Sequence, residues 1–515
     1  MSPLAFDPRG YSLAVGLTVV DDGKSRYGAV LFDLASGTYG PAFNTVIAGG
    51  SGAPVDVYQV ALASSGPVPI VFASYRDQGA VTGLAEDHIA VIQSGKLLFE
   101  DLLMSIIGSG ANAPIDALRA SDDGRFLAIQ TAASNLVSDS ELDSNGTADI
   151  YVLDRQTGQI ERVSVMAGQE PQGDVYLSDL MLDDSGVLSI AFYTRDPLVF
   201  SASDSNAEDD VYIWRKPAAA SASPGKPTIT LISSTSGGAQ GGREAILVPT
   251  GVYFTSVSAA YSAQDSNDVD DVFWRAGTSP VSPIVPLALS QKGQTVLADV
   301  SADGKQLLLL TRSSTLIGQS SDVDQLVLFD VVSPSGLLLS STPSGQLADD
   351  AVEAAIVSPD ARRTVFVSKA MNLLPDSDGA YRLYLFDAGD TVPPSFESPS
   401  TAGGITEGVG SAGPIYVAIA RDTDPVTYSI RAGMGDAAAF AIDPQTGVVL
   451  SSLVPDYEVK KTYQFTVVAR DATGNESERL VTVPVVNVNE APAGADKSIT
   501  TLEDQAYLFV LGDFG

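Results

Sequence analysis

The chain has 515 residues, with 63 Asp and Glu against 29 Lys and Arg, a formal net charge of −34, no cysteine and one histidine. Such a field disfavours nucleic acid and anionic membrane surfaces as partners and favours cations. The missing cysteines exclude disulfides, thiol catalysis, iron–sulfur clusters and cysteine-based zinc sites, and the lone His88 falls short of a Ser-His-Asp triad or a multi-histidine metal centre.

Hydrophobic residues make up 44% of the chain, enough for a sizeable core, and 47 Gly and 29 Pro point to many turns. No apolar run reaches the roughly 18–20 residues of a membrane span. The opening Met1-Ser-Pro-Leu-Ala-Phe-Asp-Pro-Arg-Gly10 lacks a basic and apolar signal segment, so an exported chain would carry its signal elsewhere.

Residues 1–390 carry an internal repeat. Turns at Ser121-Asp-Asp-Gly124, Asp183-Asp-Ser-Gly186, Ser301-Ala-Asp-Gly304 and Ser358-Pro-Asp360 are the clear copies. Asp7-Pro-Arg-Gly10, Ser65-Gly66 and Thr250-Gly251 are weaker ones. An apolar strand follows each clear turn, as in Phe126–Ile129, Leu188–Phe192, Leu307–Leu310 and Thr364–Val367. After an acidic loop comes a second strand, as in Asp149–Asp154, Asp210–Trp214, Asp271–Trp274, Gln325–Asp330 and Leu383–Asp387. A unit of this size suits a four-stranded propeller blade, and a blade cannot bury both faces alone, so the copies must pack in a ring. The cassette resembles the WD40-like repeats of bacterial TolB-type propellers. The fold expected is all-β: a seven-bladed (six to eight) β-propeller followed by a β-sandwich.

The acidic loops of the repeat read Asp143-Ser-Asn145, Asp204-Ser-Asn206, Asp265-Ser-Asn267, Asp322-Val-Asp324 and Asp376-Ser-Asp378. Alternate Asp and Asn place oxygens on one side of a loop, as in calcium loops, and Asx turns feeding the next strand explain the pattern equally well. No phosphate-binding or nucleophile-elbow motif occurs, and no carboxylate pair stands out for hydrolysis.

A Pro/Ser/Gly-rich stretch over 391–404 reads as a linker. Residues 405–492 alternate as a sandwich does and carry acids at one recurring set of places. Glu407 opens the series; Asp422 and Asp424, Asp456 and Glu458, and Asp471 follow; Asn487, Asn489 and Glu490 close it. Carboxylates at strand ends with Asn beside them are the hard oxygen donors Ca²⁺ prefers, or else solvated residues capping turns. This order and spacing over about 90 residues resembles a cadherin repeat. The resemblance implies Ca²⁺ ions at module junctions. Glu407, Asp456, Glu458, Asn487, Asn489 and Glu490 would lie at one end of the module, and Asp422, Asp424 and Asp471 at the other. The stretch Asn487-Val-Asn-Glu-Ala-Pro492 carries less charge than the animal pattern, and residues 493–515 resemble the start of a further repeat.

The expectation is a bacterial cell-surface or secreted protein, not an enzyme, acting in Ca²⁺-dependent adhesion. Its propeller would be the platform for a cell-surface protein or glycan. A polysaccharide hydrolase or lyase with a carboxylate site in the propeller, and a structural stalk, are the alternatives.

Overall fold

The computed structural model describes the whole chain except residues 1–3, 9–11, 22–23, 34–37, 40–55, 65–68, 79–84, 94–95, 138–142, 166–167, 197–203, 205, 219–225, 264, 278–280, 284–292, 376, 390–392, 410–412, 423–425, 472–473, 492–493, 495 and 514–515. The chain forms two compact units, Met1–Gly389 and Asp390–Gly515. Both are built almost wholly of antiparallel strands.

Among the described residues the first unit holds seven larger sheets in chain order, the first six four-stranded and the last three-stranded, each pairing its strands in sequence, and a two-stranded ladder of Ser234–Thr235 with Gly238–Ala239 between the fourth and fifth. We number the seven larger sheets as blades 1–7. Their first strands are Leu4–Phe6, Asp56–Ser64, Ile115–Ala120, Val175–Leu182, Arg243–Val248, Thr295–Val300 and Val352–Val357. Residues from all seven line a single cavity of about 1060 Å³. The ring closes because Leu13 and Val15 of blade 1 pack with Val365 of blade 7 in one buried cluster. Adjacent blades share cores in the same way. Ala128, Ile150 and Val152 of blade 3 pack against Ile190, Phe192, Tyr212 and Trp214 of blade 4. This is a seven-bladed propeller, and its all-β class is the one the turn-and-strand cassette predicts.

The repeated turn joins the first and second strands of a blade. In blade 3, Ser121 Oγ accepts from the Phe126 amide at 2.9 Å and donates to Asp123 at 2.6 Å. Asp123 in turn accepts from the Arg125 amide at 3.0 Å. Ser301 and Asp303 repeat this in blade 6, and Ser358 and Asp360 in blade 7. In the weak first copy the Asp7 carboxylate replaces the serine and accepts from Ser12 at 2.8 Å. Gly124 and Gly304 sit at φ +70 and +73, the left-handed region where glycine costs least. Ser65-Gly66 lies outside the described residues.

The second unit is a sandwich. One sheet orders Ile405–Thr406, Glu476–Val486, Thr462–Arg470 and Thr427–Ile430; the other orders Tyr416–Val417, Val448–Ser451 and Phe440–Ile442. Ile405, Tyr416, Phe440, Val449, Phe465, Val467, Val481 and Val483 are buried between them. Part of the expected linker belongs to this unit. Ser395–Phe396 pairs with Ala420–Arg421, the Ala402 amide bonds to Thr482 O at 2.9 Å, and Ala402 is buried in the core. Pro and Gly there shape a strand edge rather than a free tether. Residues 496–510 form no strand, and Leu502, Leu508 and Leu511 are exposed. Among the described residues no helix is long and apolar enough to cross a membrane.

Candidate metal centre

Glu407 follows the short strand Ile405–Thr406, which pairs parallel to the end of Glu476–Val486, with Thr406 opposite Val486. That register sets Glu407 beside the chain leaving the last strand. Its own amide bonds to Val486 O at 3.2 Å. Gly408, at φ +73, turns the chain and donates to Pro455 O at 2.9 Å, which brings up the turn containing Asp456 and Glu458.

The Glu407 side chain is 4% exposed and fixed at both oxygens. Oε2 accepts from the Tyr457 amide at 2.8 Å, and Oε1 accepts from the Val488 amide. Donation from Val488, with further help from Tyr457, holds the Glu407 carboxyl below its ordinary range, so it is charged at neutral pH. Glu458 and Glu490 are exposed, and Glu458 Oε1 accepts from Asn487 Nδ2 at 3.2 Å. One ligand oxygen from each of Glu407, Glu458 and Glu490 lies within 4.8 Å of the others. Three carboxylates at that spacing repel one another, and their all-oxygen chemistry suits a hard cation such as Ca²⁺.

The other expected ligands fall differently. Asp456 is exposed and accepts from the Val459 amide at 3.0 Å, capping its turn outside the gathered trio. Asn489 is exposed. At the other set, Asp424 lies outside the described residues and Asp422 is half-buried. Asp471 is buried and closes its own loop, accepting from the Gly474 and Asn475 amides at 2.6 and 2.8 Å and from Asn475 Nδ2 at 2.8 Å. Among the described residues these acids form no second group at ligand distances.

The propeller cavity carries two carboxylates that sequence reading does not single out. Asp179 accepts from the Leu180 and Leu247 amides, both at 2.8 Å, and Asp299 from the Val300 and Val357 amides at 2.9 and 2.8 Å. Each sits at a register shift in a first strand and ties its blade to the next. Burial pushes both upward, Asp299 to about 7. The signal for them is an Asp inside an otherwise apolar first strand. His88 is likewise structural: it is buried, its Nδ1 lies 2.7 Å from Asp101, and its ring stacks on Tyr75.

No protein-family model matches the chain. It is similar to Protocadherin Fat 4 of Mus musculus, 27% identical over 245 residues that make up 46% of this chain and 4% of that protein. Protocadherin Fat 4 of Homo sapiens is 30% identical over 117 residues, 22% of this chain and 2% of that one. The chain thus spans a small fraction of the curated relatives it matches. Among solved structures, human Protocadherin-24 EC1-2 is 28% identical with a TM-score of 0.17, covering 18% of this chain and 44% of that one. The Pyrococcus horikoshii acylaminoacyl peptidase aligns with 84% of this chain and 53% of its own, at 11% identity and a TM-score of 0.37. Part of the chain is therefore cadherin-like in sequence.

Proposed function

We propose that this chain acts in Ca²⁺-dependent adhesion or interaction at a cell surface, with its partner a surface protein or glycan and no catalytic step of its own. The observation that carries the reading is the convergence of Glu407, Glu458 and Glu490. Glu407 is the anchor, kept charged and aimed by two backbone amides. Glu458 and Glu490 are the exposed arms, and Asn487 steadies Glu458. Bound Ca²⁺ would neutralise the trio, with Asn489 close by in sequence as a further oxygen donor. The segment 487–490 would then be tied to the end of the sandwich, making a junction that transmits load. The partial identity to protocadherins supports the same reading. The double amide bonding of Asp179 and Asp299 supports a structural role for the cavity carboxylates.

Hydrogen exchange by mass spectrometry on the full chain tests the site. Ca²⁺ should slow exchange in the peptides spanning 455–460 and 486–491, and Glu407→Gln with Glu490→Gln should remove that protection. Protection that survives both substitutions would sink the assignment.

A further inference from the structure

Three blades carry one motif at a constant period. Asp143-Ser-Asn145 precedes Asp149, Asp204-Ser-Asn206 precedes Asp210, and Asp265-Ser-Asn267 precedes Asp271. Successive copies are 61 residues apart (204 − 143 and 265 − 204), and the two Asp residues are 6 apart in each. All six carboxylates are buried. The second Asp opens the third strand of its blade in every case.

The copies differ in what faces the pair. In blade 3, Asp143 Oδ2 accepts from Tyr151 Oη at 2.6 Å, and Asp149 Oδ1 from Ser164 Oγ at 2.5 Å. The guanidinium of Arg162 lies 3.8 Å from Asp143, 3.6 Å from Asp149 and 3.0 Å from Glu170. Blade 3 therefore holds an internal cation. In blade 4 the neutral partners are repeated: Tyr212 Oη donates to Asp204, and Ser233 Oγ donates to Asp210 at 2.5 Å. The cation is not repeated. Arg162 pairs across the strand with Tyr151, and the residue so paired with Tyr212 is Leu231. In blade 5 the matching residue, opposite Phe273, is Pro283. Among the described residues no basic side chain is in ion-pair range of Asp204, Asp210, Asp265 or Asp271. Arg243 and Arg195 are engaged by Asp270 and Asp209 instead.

Blade 6 supplies the opposite control. There Gln325 stands where blades 3–5 have the second Asp, accepts from Ser340 Oγ at 2.7 Å, and needs no counter-charge.

Neutral donors meet part of the charge in blades 4 and 5: the Gly241 amide donates to Asp210 Oδ1 at 3.0 Å, and Asn267 Nδ2 donates to Asp271 Oδ2 at 3.2 Å, as Asn145 does to Asp149 in blade 3. Asp204 and Asp210 are 1% and 0% exposed, and Asp204 Oδ1 and Asp210 Oδ2 have no hydrogen-bond partner. Asp265, 7% exposed, likewise leaves Oδ2 unpartnered. Asp196 adds a further negative charge near Asp204. Buried carboxylate oxygens without partners are costly, and all-oxygen pairs are the donors of hard cations. We propose that blades 4 and 5 each bind a hard metal cation, with Ca²⁺ the best fit, between Asp204 and Asp210 and between Asp265 and Asp271, in the place that Arg162 fills in blade 3. These sites are independent of the one at Glu407.

The chain has two tryptophans, Trp214 in the third strand of blade 4 and Trp274 in that of blade 5. Their fluorescence reports on these blades and not on the sandwich. The test uses the full chain carrying Glu407→Gln, Glu458→Gln and Glu490→Gln, so that loss of the sandwich site does not confuse the outcome. Equilibrium dialysis should still find bound Ca²⁺, and tryptophan-monitored melting should shift upward with Ca²⁺ and downward with EDTA. Asp210→Gln, the residue blade 6 already uses, should remove one bound ion, and Asp271→Gln another. Leu231→Arg should restore the blade 3 arrangement in blade 4, abolishing its Ca²⁺ uptake while leaving the metal-free protein folded. Mg²⁺ and Na⁺ arms identify the cation. No Ca²⁺ bound to the triple-Gln chain, or unchanged stoichiometry in both Asp210→Gln and Leu231→Arg, would overturn the proposal.

Discussion

The molecule handles its carboxylates in two contrasting ways. In the propeller desolvation drives them upward: the buried Asp149, Asp210 and Asp271 to about 6, with the neighbouring Asp143, Asp204 and Asp265 adding like charge, and the half-buried Asp299 to about 7. At the end of the sandwich, Glu407 is as well covered, yet backbone donation from Val488 and Tyr457 holds it down. Burial alone therefore does not decide the charge state. What decides it is the balance of two effects: amides meet both oxygens of Glu407 and of Asp299 alike, but donation from Val488 outweighs desolvation at Glu407, whereas desolvation outweighs the amides at Asp299. The propeller keeps such groups as fixtures of the ring, and the sandwich keeps one ready-charged at an open end.

The sharpest way to break this comparison is to remove the internal cation of blade 3. Arg162→Met should leave Asp143, Asp149 and Glu170 facing one another in a buried site, at a cost of about 3–5 kcal/mol. Urea unfolding followed by tryptophan fluorescence measures it. A cost under about 1 kcal/mol, as for an exposed pair, would mean that this guanidinium is dispensable. The truncation Phe465→Ala tests the sandwich with a similar expected loss, about 3–5 kcal/mol, because Phe465 is fully buried against Tyr416 and Phe440.

A smaller effect is a difference in sign with pH. Asp299 and Asp149 bind protons more tightly folded than unfolded, so in EDTA their stabilising protonation is complete below about pH 4 and is lost as pH rises toward about 6–7. Propeller melting in EDTA should therefore rise on going from pH 7 to pH 5. Glu407 runs the other way: its contribution is present above its ordinary value of 4.5 and is lost as pH falls through its lowered folded value. Hydrogen exchange at the Val488 amide should accordingly stay protected at pH 5. Asp299→Asn should flatten the propeller's slope; an unchanged slope would move its cause to other groups.

The two regions also differ in how far the sequence reveals them. The blades are legible because their turns are local chemistry: Ser121 and Asp123 bond to the very residues that follow them, so a short window carries the signal. The weak blade 1 turn uses Asp7 for the serine, and the eye needs the structure to see the equivalence. Glu407, Glu458 and Glu490 are separated by up to 83 residues (490 − 407) and are legible only through a motif order shared with a family. Asp456 shows the limit of that route: the resemblance sets it beside Glu458, and in the structure it stands outside the trio and accepts from the Val459 amide. The strand Ser395–Phe396 is hidden because Pro and Gly composition describes the backbone's freedom and not the pairing with Ala420–Arg421 or the core residue Ala402 further along. The pairing of Asp204 with Asp210 spans a loop and a strand start, so neither element alone announces it.

The smallest expected effect separates Asp456 from Glu458, two residues apart on one turn. Asp456 accepts from the Val459 amide, as a cap does, so Asp456→Ala should cost about 0.5–2 kcal/mol whether or not Ca²⁺ is present. Glu458 contributes repulsion toward Glu407 and Glu490 until a cation arrives, so Glu458→Gln should leave the metal-free sandwich unchanged or slightly firmer and weaken its response to Ca²⁺. Hydrogen exchange over 455–460, measured with EDTA and then with Ca²⁺, reads both variants in one experiment. If Asp456→Ala erased the Ca²⁺ response and Glu458→Gln kept it, the ligand would be the turn cap, and the trio built around Glu407 would not be the metal centre.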